Sequence, residues 1–205
     1  MSAEDSSKQQ GLLKAGDSLE LTVDRMAHGG EGIGNAPDGR VVFVQGGFPG
    51  DVVQARVTKA KKSFAHAQLE SVVQAGPHRV PSACPAAELG AGCCDFAELN
   101  PASEVAIKLD VLSDQLRRVA KLSEIPDVET INLNPQRGWR TRVRLGVDSQ
   151  GRAGGRKRNS NEIVHEVACS QLAPGLVDGL VGPDARRFTP GSEVIAVLDS
   201  KRNRP

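Results

Sequence analysis

Four cysteines, Cys84, Cys93, Cys94 and Cys169, are the residues of this 205-residue chain best suited to metal chemistry. Three of them fall between positions 84 and 94, a density that favours a metal site over isolated structural thiols. Thiolate sulfur suits zinc or iron–sulfur centres. The spacing lacks the Cys-x2-Cys of a knuckle, because position 91, three before Cys94, is Ala91. Two readings stay open: a site built from Cys84, Cys93, Cys94 and Cys169, or buried reduced thiols without metal. The segment Met1 to Gln10 is polar and has no apolar leader, so a cytoplasmic setting, where disulfides are uncommon, is expected.

Phosphate chemistry is the second possibility. Between Gln136 and Arg158 stand eight bases and one acid, Asp148. Arg140, Arg142 and Arg144 alternate, which on a strand aims all three to one side. Arg156 and Arg158 are placed for the adjoining strand. Like charges side by side repel, so such a row calls for an anionic partner: acids from the helical region, or phosphate, which suits the guanidinium fork. A second basic run, Lys59, Lys61 and Lys62, precedes Phe64. Small barrels bind single-stranded nucleic acid through a cationic groove with aromatic platforms. The plain alternative is a solvated lysine loop. Phe43, Phe48 and Phe64 are the only phenylalanines of that region.

Gly30-Glu31-Gly32-Ile33-Gly34 has the look of a phosphate-cradling loop, but that function needs a helix to open directly after it. The chain continues instead into a Pro37-Asp38-Gly39 turn and a β-branched run, so the glycines read as part of a hairpin.

The elements that must position these residues follow from periodicity. Leu19, Leu21 and Val23 alternate with Glu20, Thr22 and Asp24. Val41 to Val44, Val52 to Val57 and Phe64 to Val73 continue the pattern, with turn residues between. Four or five short, closely spaced strands predict a small antiparallel barrel. Gly76 to Leu99 reads as a loop. Asn100 as cap and Pro101 at the first position open an amphipathic helix carrying Val105, Leu109, Leu112, Leu116 and Val119, ending near Leu122. Residues 131–170 read as strands, Ala173 to Val181 as a short helix, and Glu193 to Leu198 as a last strand. The expected layout is a disordered tail (1–17), a barrel (18–75), a cysteine-containing loop (76–100) and an incomplete central α/β region (101–205). The fold class is β-rich α+β. No apolar run approaches the roughly 18–20 residues of a membrane span, and Gly plus Pro, 34 residues, is too few for a wholly disordered chain.

Several ordered motifs resemble a known family. Ser18 to Gln74 is similar to a TRAM domain, an OB-like RNA-binding barrel. The resemblance rests on His28-Gly29-Gly30-Glu31-Gly32-Ile33-Gly34, Gly39-Arg40-Val41-Val42-Phe43-Val44, Pro49-Gly50-Asp51-Val52-Val53 and Lys61-Lys62-Ser63-Phe64-Ala65. Arg79-Val80-Pro81 before Cys84-Pro85, Gly138-Trp139-Arg140-Thr141-Arg142-Val143-Arg144 and Cys169-Ser170-Gln171-Leu172 extend it to the bacterial RNA uracil-5-methyltransferases that carry such a domain, over roughly residues 18–198.

The resemblance implies a protein that binds ribosomal or transfer RNA, uses S-adenosylmethionine and in many members holds a [4Fe-4S] cluster. By position Cys84, Cys94 and Cys169 match the first, third and fourth cluster ligands. Ala91 stands at the second, and Cys93 departs from the pattern. The family's nucleophilic cysteine, its base and its cofactor loop lie beyond the matched part, so no catalytic residue is assigned. The chain is expected to be the RNA-binding N-terminal portion of such an enzyme, inactive alone. The alternatives are a stand-alone TRAM-type RNA-binding or RNA-chaperone protein, and a metal or redox sensor built on the cysteines.

Overall fold

The structure, a computed structural model, describes residues 12–199 and Lys201. The chain forms two units. One takes the described residues up to Arg79 together with Ser103–Val128; the other takes Val80–Ala102 and the residues from Glu129 onward.

The first unit contains five strands, β1 (Ser18–Met26), β2 (Gly32–Asn35), β3 (Val41–Gln45), β4 (Val52–Ala60) and β5 (Phe64–Gln74), closed into a barrel in the order β1-β2-β3-β5-β4. The alternation read from sequence sorts their side chains. Leu19, Leu21, Val23, Val42, Val44, Val53, Ala55, Val57, Ala65 and Ala67 fill the interior, and the intervening residues face outward. Small and β-branched residues suit the narrow lumen of a five-stranded barrel. Four seams are antiparallel as expected, but β3 and β5 pair in parallel, with Val41 beside Phe64 and Phe43 beside His66. Closure causes this difference: β4 is taken by β1 and β5, and only a parallel seam joins the remaining free edges.

The glycine run is structural. A Cβ on Gly34 would lie 2.3 Å from the Thr22 carbonyl oxygen, and one on Gly32 would lie 2.6 Å from that of Gly47. These positions let β2 press against its neighbours. Part of the expected tail is ordered as well. Leu13 packs on the barrel core, its N–H donates to Asp38, and its carbonyl accepts from Arg40 Nη2 at 2.8 Å. Residues 1–11 of that tail lie outside the described residues.

Two helical pieces occur among the described residues, α1 (Pro85–Glu88) and α2 (Pro101–Arg118). Asn100 Oδ1 accepts from the Ala102 N–H at 3.0 Å, as a capping residue should. From Ser103 on, α2 belongs with the barrel rather than with the region after it. The His78–Ser103 hydrogen bond (3.0 Å) and the Arg25–Asp114 ion pair (3.5 Å) tie it there. Of the expected apolar stripe, Leu112 and Val119 are exposed, and the helix's buried residue is Ile107, which lies outside that stripe.

The second unit carries a four-stranded sheet ordered β8-β7-β6-β9, from β6 (Arg142–Val147), β7 (Ala153–Arg156), β8 (Ile163–Val164) and β9 (Glu193–Val197). Leu145, Val147, Ala153 and Ala196 pack against Ala173, Leu176, Val177 and Leu180. The segment Ala173 to Val181 is a chain of turns, not the expected helix. Gly175 (φ +82°) and Gly179 (φ +67°) take left-handed conformations that break a helical ladder. Regular strand in the 131–170 region is shorter than expected: it begins at Arg142, and β8 covers two residues before the chain leaves the sheet at His165.

Candidate functional site

The outward rows of β3 and β5 build an aromatic corner. Phe43 and His66 stack with ring centres 5.2 Å apart, and Phe64 stands edge-on to both, at 6.1 and 5.6 Å. Glu31 Oε1 lies 3.0 Å from His66 Nδ1. These rings line a groove of about 860 Å³ whose rim includes Arg25, Arg118 and Lys121. Phe64 is therefore in the groove. Lys61 and Lys62 are exposed on the hairpin beside Ser63, which also lines it, and Lys59 is the cross-strand neighbour of His66. Sequence reasoning missed His66. The signal was present, since Phe64 and His66 alternate on one strand, but the partner strand was not visible. Phe48 is no platform: it is buried in the first unit with the Arg79 guanidinium 4.6 Å over its ring.

The arginine row lies on β6 and β7. Arg142 and Arg144 are exposed on β6, and Arg140 precedes that strand in a bridge to Leu172, its guanidinium 5.1 Å from the Trp139 ring. The row is not bare. Glu193 on β9 takes Arg144 at 3.6 Å and Arg156 at 3.2 Å, and Asp95 pairs with Arg158. The compensating acids come from β9 and the cysteine loop, not from α2. Among the described residues Arg140 and Arg142 make no ion pair.

The cysteines converge. Cys84 ends the approach to α1, Cys93 and Cys94 follow the Ala91–Lys157 bridge, and Cys169 comes from the loop after β8. The four sulfurs all lie within 4.8 Å of one another, Cys94 Sγ 3.4 Å and Cys84 Sγ 3.8 Å from Cys169 Sγ. All four are free thiols, packed among Ala86, Ala91, Val164 and Val167. The Ser170 N–H donates to Cys84 Sγ at 3.4 Å. Hydrogen bonds from the Cys93 and Cys94 thiols pull the Cys169 thiol well below its ordinary pKa, and the hydrogen bonds of Cys93 with Cys169 and Cys94 push Cys93 up. Cys93, which departs from the family's spacing, joins the other three. Cys93 and Cys169 also border a cavity of about 300 Å³ lined by Arg140, Arg144 and Arg156.

Comparison with known families matches residues 13–69 to the TRAM domain. That span holds β1 to β4 and the first half of β5. Residues 13–69 are a TRAM domain.

The relatives extend well past the TRAM domain. The chain is 58% identical over 189 residues to the protein named Uncharacterized RNA methyltransferase CE1797 of Corynebacterium efficiens, over 92% of this chain and 45% of that protein. It is 36% identical over 165 residues to 23S rRNA (uracil(1939)-C(5))-methyltransferase RlmD of Methylococcus capsulatus, over 78% of this chain and 37% of that one. The fold is shared with the solved tRNA (uracil-54, C5)-methyltransferase of Pyrococcus abyssi in complex with S-adenosyl-L-homocysteine. There the TM-score is 0.50 at 21% identity, over 75% of this chain and 33% of that chain. The chain is thus homologous over nearly all its length to proteins named RNA methyltransferases, and spans less than half the length of the curated relatives compared. The aromatic groove lies on the TRAM domain and its adjoining helix, whereas the arginine row and the cysteines lie beyond the domain.

Proposed function

We propose that this chain is the RNA-holding N-terminal portion of an S-adenosylmethionine-dependent RNA uracil-5-methyltransferase, acting in the cytoplasm. The observation that carries the reading is homology over 92% of the chain to a protein named RNA methyltransferase, joined to a TRAM barrel with basic and aromatic residues on its outer face. The RlmD relative favours ribosomal RNA over transfer RNA as the target. Lys59, Lys61 and Lys62 beside Phe64, and Arg140 and Arg142 before and on β6, hold the phosphate backbone. Such contacts set position and affinity rather than sequence choice. Arg144, Arg156 and Arg158, already engaged by Glu193 and Asp95, contribute less. No catalytic residue is assigned among the described residues.

The donor set suits thiolate ligation of iron or zinc, the chemistry of the cluster that the family resemblance implies: four free thiols from three separate segments, apolar walls and a backbone N–H aimed at one sulfur. Cys84, Cys93, Cys94 and Cys169 would hold a [4Fe-4S] group, with Cys93 supplying the ligand that position 91 lacks. When bound, such a group cross-links the three segments and offers a one-electron redox centre. The function is tested by fluorescence anisotropy with a labelled uridine-containing stem-loop taken from 23S ribosomal RNA. Specific, saturable binding supports it. An affinity no better than that of a non-binding control protein overturns it.

A further inference from the structure

The barrel interior is filled by valine, alanine and leucine, yet two of the chain's five phenylalanines sit outside it, at the groove of the TRAM domain. The three rings there form a fixed corner: Phe64 stands at 85° to Phe43 and 86° to His66. The rim is cationic. Arg25 and Arg118 share one carboxylate, Asp114, each at 3.5 Å, and Lys121 adds a third base. Two carboxylates line the groove, Asp114 between the arginines and Glu31 beside the rings. Glu31 Oε1 meets His66, and Glu31 Oε2 accepts no hydrogen bond among the described residues.

An aromatic corner, a positive rim and an acceptor-only carboxylate match the parts of one unpaired nucleotide. We infer that this groove holds an unpaired guanosine nucleotide of the bound RNA, its base stacked on the Phe43–Phe64–His66 corner and its phosphate on the Arg25–Arg118 rim. Guanine turns two adjacent N–H donors toward a carboxylate, whereas uracil presents one donor between two carbonyl acceptors. The groove therefore selects against uracil, and its nucleotide is not the uridine that the proposed enzyme modifies. The inference rests on the RNA-binding reading above.

The test uses the full 205-residue chain and labelled single-stranded RNAs of about 12 nucleotides, a length within one small-barrel footprint, either all uridine or with one central guanosine. The wild-type chain should prefer the guanosine-containing strand. Phe64→Ala should weaken that binding about tenfold, as loss of one stacking platform does, and Glu31→Gln should bring the two strands' affinities together. A Phe64→Trp variant in a Trp139→Phe background keeps a ring in place and reports directly: the guanosine-containing strand should quench its emission more than the all-uridine strand does. Unchanged affinity in Phe64→Ala, or an emission unmoved by RNA that binds, overturns the groove assignment and leaves RNA binding standing, with the face better suited to a protein partner. If the wild type binds neither strand nor the stem-loop, the RNA reading itself fails.

Discussion

At the residue scale the barrel unit is held by two carboxylates, Asp38 in the Pro37-Asp38-Gly39 turn and Asp51 immediately before β4. Asp51 is fully buried and accepts from the Phe48 N–H at 2.7 Å, the Gly76 N–H at 2.8 Å and Arg79 Nη2 at 2.7 Å. Removing one member of a buried pair strands its partner's charge, which costs about 3–5 kcal/mol. Asp51→Ala is accordingly expected to lower barrel stability by that amount in urea unfolding, and a loss under about 1 kcal/mol would mean that the pair is solvated. Asp38 is bound by Arg40 through side-chain hydrogen bonds that hold its pKa at about 2. A folded-state pKa below the unfolded one stabilises the fold at pH values above the unfolded pKa of about 4. That contribution fades as pH falls from about 4 through 2. In Asp38→Asn, unfolding midpoints measured across this window should decline less steeply than in the wild type. An unaltered decline would assign the acid sensitivity to other groups.

At the element scale, period-two patterning made β1, β3, β4 and β5 legible, and Asn100-Pro101 marked the start of α2, because these signals are local. The parallel β3–β5 seam was not legible, since pairing depends on which edges remain free at closure. The same blindness hid His66 as the neighbour of Phe43 and Glu193 as the acid facing Arg144 and Arg156. Ala173 to Val181 misled through its apolar spacing, which packs on the sheet as turns because glycines set the backbone. Gly34→Ala tests the close packing of β2. A methyl group 2.3 Å from the Thr22 carbonyl oxygen forces β1 and β2 apart, and a loss of about 1–3 kcal/mol, typical of overpacking, is expected in thermal unfolding. On β6, Arg142 is exposed and without an ion pair among the described residues, so Arg142→Ala should weaken RNA binding to a similar degree across sequences and flatten the salt dependence by about one unit of slope. Loss confined to one base identity would mean that Arg142 reads bases instead.

At the scale of the whole molecule, a formal net charge of +1 conceals separated charges: basic residues on the TRAM hairpin and on the sheet of the second unit, acids between them in sequence. The cysteine site belongs to the second unit alone. Anaerobic preparations are expected to contain iron and acid-labile sulfide, and Cys93→Ser should reduce both, because the structure gathers Cys93 with the other three. Iron-free protein with a full complement of zinc would indicate a single-ion site, and metal-free folded protein would indicate plain buried thiols. The central claim, that this chain grips RNA through its phosphates, is tested most directly by the affinity for a uridine-containing stem-loop across a salt series. Counterion release from about five phosphate contacts predicts a slope of roughly −4 in log affinity against log salt. An affinity that stays level from low to high salt would contradict the account.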